Sequence, residues 1–154
     1  MIKFKFKLET VLNVRTRVED LRKKELQVAE VKKEQAKKVL IRRQTEVSET
    51  IEVYRKNCQQ KMDLYLATNY HKFLLYQNKQ VDLATNHLME CDNVVAHKRE
   101  ELVEASKEKK IVEKLKEKAF EVYKAEEMNE EVKFLDELGT GQFVRRDMDE
   151  KNDE

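Results

Sequence analysis

The stretch VLNVRTRVEDLRKKELQV, residues 11–28, decides the fold class of this chain. Its valines and one leucine recur at intervals of three, four, three and seven residues, with Glu25 at the skipped position: Val11, Val14, Val18, Leu21 and Val28. Side chains at this spacing lie on one face of an α-helix. The face is narrow and charged residues surround it, which is typical of a coiled-coil helix that needs a partner.

The stripe shifts to neighbouring positions as the chain continues: Ala29, Ala36, Leu40, Val47, Ile51, Tyr54 and Cys58. A second stripe follows in the other half of the chain: Leu88, Cys91, Val95, Leu102, Ala105, Val112, Leu115, Ala119 and Val122, then less regularly Val132, Leu135 and Leu138. The drift of the first stripe indicates imperfect heptads. The simplest partner for each stripe is the other one, so we predict an all-α fold, an antiparallel coiled-coil hairpin of two long helices.

Composition and charge favour the same fold. The 154 residues include no Pro and two Gly, and 41% of them are charged, which is typical of long helices and not of a compact globular domain. Residues 1–60 carry a net charge of +7 and residues 61–154 a net charge of −6. This split suits a chain folded back on itself and predicts a monomer, because a parallel dimer would place basic half beside basic half. Lys and Glu alternate along the helices, so no nucleic-acid partner is expected.

The predicted boundaries follow from local breaks in the pattern. Charge density drops in KMDLYLATNYHKFLLYQNKQ, where Tyr65, Tyr70, Phe73 and Tyr76 cluster. Thr68 and Asn69 are the best N-cap candidates there. We therefore predict arm one at about 5–62, the turn at about 62–70 and arm two at about 69–138. Gly139 is a natural residue to follow a helix end, so residues 1–138 form the hairpin and 139–154 a mobile tail.

Motifs for chemistry are scarce. His87 and Cys91 stand four residues apart, but a structural zinc site needs four ligands. No Gly-rich phosphate loop precedes residue 139, and a thin rod offers no pocket that excludes water. We expect no enzyme activity, no cofactor and no metal. The two cysteines do not form a disulfide framework, and neither a signal peptide nor a membrane-length apolar run is visible, which predicts a cytosolic protein.

Two segments have alternative interpretations. MIKFKFKL, residues 1–8, is either an extended lead-in whose Phe residues cap the coiled coil, which we favour, or a foot that touches a membrane. The aromatic cluster near the turn either packs across the turn or anchors a partner protein.

Three fragments resemble the flagellar export protein FliJ family: FKFKLETVLNVRTRVED at Phe4–Asp20, NYHKFLL at Asn69–Leu75 and LKEKAFEVYKAEEMNEEVKFLDELGTGQF at Leu115–Phe143. The resemblance covers nearly the whole chain. It implies a hairpin shaped like the central stalk of rotary ATPases. It also implies three kinds of partner: the flagellar export ATPase, the cytoplasmic domain of the export gate protein, and export chaperones.

The resemblance also suggests where these partners bind. Phe73 matches the family's second-arm aromatic residue, and Tyr76 and Gln80 follow it on the same helical face, so these three are expected to contact the gate protein. Leu12, Arg15, Glu126 and Glu127 are expected to lie near one another and to contact the ATPase ring. The protein would then associate peripherally with the inner membrane. The alternatives are a virulence-type secretion or rotary ATPase stalk subunit, or a structural coiled-coil spacer.

Overall fold

A computed structural model describes residues 4–152, with side chains described as far as Gln142. It contains two helices, α1 at Glu9–Cys58 and α2 at Leu64–Asn152, of 50 and 89 residues. Within residues 4–152 there is no strand, and the two helices pack against each other. The predicted all-α fold with two long paired helices is therefore confirmed. None of the described helices is apolar enough, over a sufficient length, to cross a membrane.

The chain divides into two compact units. One consists of Arg17–Lys107, and the other of Met1–Thr16 with Glu108–Glu154. In each unit a segment of α1 runs antiparallel to a segment of α2. In the first, Arg22 contacts Glu101 and Lys33 contacts Asp92; in the second, Glu9 contacts Lys116 and Arg15 contacts Glu108.

The α1 residues that face α2 form a regular heptad pattern, which we call the seam. Leu12, Glu19, Leu26, Lys33, Leu40, Val47 and Tyr54 follow one another at intervals of seven, and each is at least half-buried. Ala29 and Ala36, three residues after Leu26 and Lys33, are buried. On α2, Val95, Ala105 and Val112 are the most buried apolar residues of the corresponding pattern.

The structure corrects the first part of the predicted α1 stripe, whereas its later members Ala29, Ala36, Leu40, Val47 and Tyr54 lie on the seam. Val11, Val14, Leu21 and Val28 are exposed, not on the seam. The stripe of these residues ends at Val28. The series of positions one residue further along, which begins at Leu12, continues to the end of α1 and faces a continuous series of seam positions on α2. A helix pair gains more by burying the longer continuous seam, so the valines are left beside it. On α2, Leu115 and Val122 are likewise exposed, and Lys116 and Tyr123 occupy the seam positions.

The chain reverses earlier than predicted, over residues 59–63 and not 62–70. Thr68 lies inside α2, where its hydroxyl donates to the Leu64 carbonyl at 2.9 Å. The residue before the helix is Asp63, whose carbonyl accepts from the Ala67 N–H at 3.0 Å. Asp is a preferred N-cap residue, and its negative charge is favourable at the positive end of the helix dipole. Asp63 was therefore the better sequence signal for the start of α2.

Gly139 does not end α2, contrary to the prediction. The helix continues through both glycines to Asn152, and neither glycine has a positive φ. A glycine inside a helix costs about 1 kcal/mol relative to Ala, but it ends the helix only where it adopts the left-handed conformation. The mobility predicted for residues 139–154 stays a prediction, and the side chains from Phe143 onward lie outside the described part of the chain.

The lead-in packs on α2 as an aromatic cap, as predicted. The Phe4 ring lies edge-on to Phe120, with ring centroids 5.2 Å apart, and 5.5 Å from Tyr123. Residues 1–3 lie outside the described residues. The lead-in thus extends the paired part of its unit beyond the start of α1 by packing aromatic rings on α2.

Each helix contributes both cations and carboxylates to the ion pairs between the helices. Arg22 of α1 contacts an acidic residue of α2, whereas Lys98 of α2 contacts Glu25 of α1, at 3.1 Å. Arg22, Glu25, Lys98 and Glu101 form a ring of alternating charges with N–O distances of 2.9–3.2 Å. Hydrogen bonds from Arg22 and then Lys98 lower the pKa of Glu25, and the bond from Lys98 lowers the pKa of Glu101. The net charges of the two halves therefore do not dictate the pairing; individual residues do.

Candidate interaction surface

A groove next to the chain reversal contains the central residue of the predicted gate site. We call it the turn groove; its volume is about 380 Å³, and its lining residues are Glu46, Glu49, Thr50, Val53, Tyr70, Phe73 and Gln77. Three of these come from α2 and four from α1. The antiparallel register brings the two sets together, because residues on either side of the turn face each other at similar distances from it.

Phe73 stands at the edge of the seam and is 49% exposed. It follows the seam residue Tyr70 by three positions and precedes the seam residue Leu74 by one, so its ring lies on the flank of the helix pair. Val53 reaches the same groove from α1 and is also exposed. Exposed aromatic and aliphatic side chains beside a groove are the usual anchors of a protein interface.

The aromatic cluster predicted from sequence divides between packing and exposure. Tyr70 is half-buried; its hydroxyl accepts a hydrogen bond from the Asn57 side chain at 2.9 Å, and its ring lies edge-on to Tyr54 at 5.5 Å. Tyr65, Phe73 and Tyr76 are exposed. Tyr70 therefore packs across the turn, and the other three leave apolar surface available to a partner.

Gln77 is a buried polar residue at the base of the turn groove. Its side chain is on the seam and only 8% exposed. Its Nε2 donates to the Glu46 backbone carbonyl at 3.4 Å, while its Oε1 has no hydrogen-bond partner within the described part of the structure. Most buried polar groups in proteins are satisfied, so this buried and unpaired acceptor is an exception that lowers the stability of the helix pair at this level.

The turn groove has an acidic rim. Glu46 and Glu49 both line it, and no basic residue does. The Glu46 carboxylate accepts from Arg43 at 3.0 Å, whereas Glu49 is exposed. The groove thus combines an apolar surface with negative charge, a combination that favours a basic, apolar segment.

The structure brings Phe73, Tyr76 and Gln80 onto one helical face, as their spacing predicted. Tyr76 is exposed and Gln80 is half-buried. The sequence did not reveal the α1 side of the groove, above all Val53, because the register of the two helices decides which α1 residues lie opposite Phe73. Gln77 was also missed; the available signal was its position seven residues after Tyr70 and seven before Ala84, in the heptad series that leads to Ala105 and Val112.

The four residues predicted for the ATPase ring do not form one cluster. Arg15 is bound to Glu108, while Glu127 accepts from the Tyr123 hydroxyl at 3.4 Å. Leu12 is half-buried and Glu126 is exposed. Since Glu9 contacts Lys116, Glu126 lies ten residues beyond the start of α1, or about 15 Å along the helix at 1.5 Å per residue. Leu12 and Arg15 therefore lie beside a different part of α2 from the two glutamates.

The α2 segment that carries Glu126 is amphipathic. Met128, Val132, Leu135 and Leu138 recur at intervals of three and four residues and are all exposed. The opposite face carries acidic residues, among them Glu126, Glu130 and Glu137. An exposed apolar stripe backed by acidic residues is a further surface for a protein partner.

His87 and Cys91 are the one His–Cys pair that the sequence offers as candidate metal ligands. His87 Nε2 lies 3.9 Å from Cys91 Sγ, but no group of three or more His, Cys, Asp or Glu in the described chain is placed to hold a metal ion. Cys58 is exposed and Cys91 half-buried, and both are free thiols.

Comparison with known proteins yields one match. The profile of the family described as "Flagellar FliJ protein" matches residues 4–147, which is nearly the whole chain. No curated protein and no solved structure matches it. The span covers α1, most of α2, the chain reversal between them and the Phe4 lead-in. The chain therefore belongs to the flagellar FliJ protein family and is a component of the flagellar export apparatus.

Proposed function

We propose that this chain is the non-enzymatic stalk and coupling factor of flagellar export, linking the export ATPase ring to the cytoplasmic domain of the export gate protein. The observation that carries the proposal is Phe73, half-exposed at an apolar groove beside the chain reversal, in a chain of the FliJ family. The chain acts as a monomer at the cytoplasmic face of the inner membrane, where it also receives export chaperones.

The turn groove supplies the gate contact in this proposal. An apolar side chain of the gate protein packs between Phe73 and Val53, and a basic residue beside it pairs with Glu49. Tyr76 and Gln80 extend the contact along α2. Phe73, Val53, Glu49 and Tyr76 are all exposed to solvent and so are accessible to the gate protein.

The ATPase contact uses surfaces of the other compact unit. Glu126 and Glu127 present negative charge on the amphipathic segment, and Arg15 and Leu12 lie on α1. Because these groups do not share one patch, we propose that the ring contacts them at two levels along the helices. The glutamates, of which Glu126 is fully on the surface, are the more accessible pair.

The test is to separate the two contacts by substitution. Phe73→Ala removes the apolar anchor, and truncation of such an interface aromatic often costs about 2 kcal/mol or more, which is over tenfold in Kd. We expect this variant to lose affinity for the purified gate domain by at least that factor and to bind the purified ATPase unchanged. Glu126→Lys with Glu127→Lys should show the opposite pattern. Isothermal titration calorimetry measures both.

Leu75→Ala is the matched control. Leu75 is as exposed as Phe73, but it lies two residues further along the helix and so points away from the turn groove. It should leave both affinities unchanged. If Phe73→Ala lowers the affinity for both partners equally, or for neither, the two contacts are not divided in this way. If the unsubstituted chain binds neither partner, a structural spacer is favoured.

A further inference from the structure

A second groove lies in the same compact unit as the turn groove. We call it the lysine groove; its volume is about 440 Å³, and its lining residues are Lys24, Glu25, Val28, Ala29, Lys32, Val94 and Lys98. None of these residues takes part in the proposed gate or ATPase contacts. The groove includes Val28, one of the valines that the sequence places in an apolar stripe and the structure leaves outside the seam.

The floor of the lysine groove is apolar and open to solvent. Val28 is 55% exposed and Val94 is 50% exposed, while Ala29 between them is buried. Leu21, one heptad before Val28 on the same face of α1, is also exposed. The apolar surface therefore extends along α1 for about two helical turns, or roughly 10 Å at 1.5 Å per residue. The length of this strip matches the distance between apolar residues i and i+7 on one face of a partner helix.

The charges around this floor are positive. Glu25, the only acidic residue of the lining, accepts from Arg22 at 2.9 Å and from Lys98 at 3.1 Å, so its charge is already compensated. Lys24 and Lys32 lie on the rim and are exposed. Among the side chains that the structure describes, neither lysine has a carboxylate within 4.0 Å. Two unpaired cations thus flank an exposed apolar strip.

We propose that the lysine groove binds an acidic amphipathic helix of a partner protein. Apolar residues at i, i+3 or i+4, and i+7 of that helix pack on Leu21, Val28 and Val94. Its flanking Asp or Glu residues pair with Lys24 and Lys32. Charge complementarity selects this occupant, because the turn groove on the same unit offers a similar apolar floor with an acidic rim and would repel it. This contact does not depend on the proposed gate binding.

The experiment uses a defined probe and the full chain. A fluorescent peptide of about 20 residues, long enough to form an isolated helix, carries Leu on one face and Glu beside it. A matched peptide keeps the Leu residues and replaces Glu with Lys. By fluorescence anisotropy, we expect the Glu peptide to bind at least about tenfold more tightly than the Lys peptide, and more weakly as salt is added.

Substitutions test whether the Glu peptide binds in the lysine groove. Lys24→Glu with Lys32→Glu should weaken the Glu peptide at least about tenfold and favour the Lys peptide. Val94→Asp should abolish binding of the Glu peptide. Val103→Asp is the control, since Val103 is equally exposed but points away from the groove nine residues further along α2. Phe73→Ala should bind the Glu peptide like the original chain, which distinguishes this contact from the gate contact. Circular dichroism confirms unchanged helicity for each variant.

Several results would overturn the proposal. Equal affinity for the two peptides would show that charge does not select the occupant. An unchanged Kd in the double lysine variant would place the binding elsewhere. A dimer in light scattering that Lys24→Glu with Lys32→Glu disperses would identify a second copy as the occupant. Lysine-dependent binding to phosphatidylglycerol vesicles without binding to the Glu peptide would identify a lipid surface.

Discussion

The turn groove and the lysine groove belong to the same compact unit and have similar apolar floors, yet their rims carry opposite charge. Glu46 and Glu49 line the first, and Lys24, Lys32 and Lys98 line the second. An apolar floor alone attracts many amphipathic segments, so the charge at the rim has to supply the discrimination. A two-helix protein can in this way present different binding surfaces without building a pocket.

The two grooves also differ in what lies beneath them. The seam under the turn groove contains Gln77, a buried amide with an unpaired oxygen. The seam at the lysine groove contains Ala29 and lies next to Val95, and the ring of Arg22, Glu25, Lys98 and Glu101 joins the helices there. We expect the lysine groove to rest on the more stable part of the helix pair.

The largest expected effect comes from placing a charge under the lysine groove. Val95 is only 2% exposed, so Val95→Asp buries a carboxylate without a partner and should lower the free energy of unfolding by about 3 kcal/mol or more. Val94→Asp, one residue away and half-exposed, should cost less than about 1 kcal/mol. Urea denaturation followed at 222 nm measures both, and similar losses in the two variants would show that the seam does not run through Val95.

A smaller effect of opposite sign is expected under the turn groove. Gln77→Leu replaces a buried amide by an apolar side chain of similar size and removes the unpaired oxygen. It should raise the free energy of unfolding by about 1–2 kcal/mol. Gln80→Leu, at a half-buried glutamine, serves as the control for stability alone. A destabilised Gln77→Leu would show that the Gln77 amide is well satisfied.

Acid should lower the stability of the helix pair beside the lysine groove, because it protonates the carboxylates in the ring of alternating charges. The pKa values of Glu25 and Glu101 are lowered below their usual value of 4.5 when the chain folds. A lowered carboxyl pKa stabilises the fold above pH 4.5, and this stabilisation is lost as the pH falls through the folded-state value. Glu25→Gln with Glu101→Gln should therefore flatten the decline of Tm below pH 4.5. Glu104→Gln, an exposed substitution on the same helix, should leave the decline unchanged, and an unaltered profile in the double variant would contradict the prediction.

The smallest effect is expected from the thiols. Cys91 precedes Asp92, which contacts Lys33 at 2.7 Å, so Cys91 lies opposite that part of α1 and far along the helix from Cys58. Mild oxidation of the monomer should form no intramolecular disulfide, as mass spectrometry of the unreduced protein would show. Cys58→Ser and Cys91→Ser should each change stability by less than about 1 kcal/mol. A quantitative internal disulfide would require a different register.

Much of the fold could be predicted from the sequence. The absence of Pro, the scarcity of Gly and the spacing of Leu102, Ala105 and Val112 determine long helices with a narrow apolar face, because these are local properties of the backbone and of the residue spacing. Three short fragments were enough to indicate the family. The same spacing placed Phe73, Tyr76 and Gln80 on one face of α2.

Only the tertiary structure decided which of two apolar series of positions becomes the seam in the first part of α1. Val11, Val14 and Leu21 form one series, and Leu12, Leu26 and Leu40 form another, one residue further along. Both series recur at helical spacing, and in each compact unit it is the second that faces α2. The register then sets the rest: it leaves Val28 exposed beside Val94, and it places Val53 opposite Phe73. These contacts join residues far apart in the chain, and no local property of the sequence encodes them.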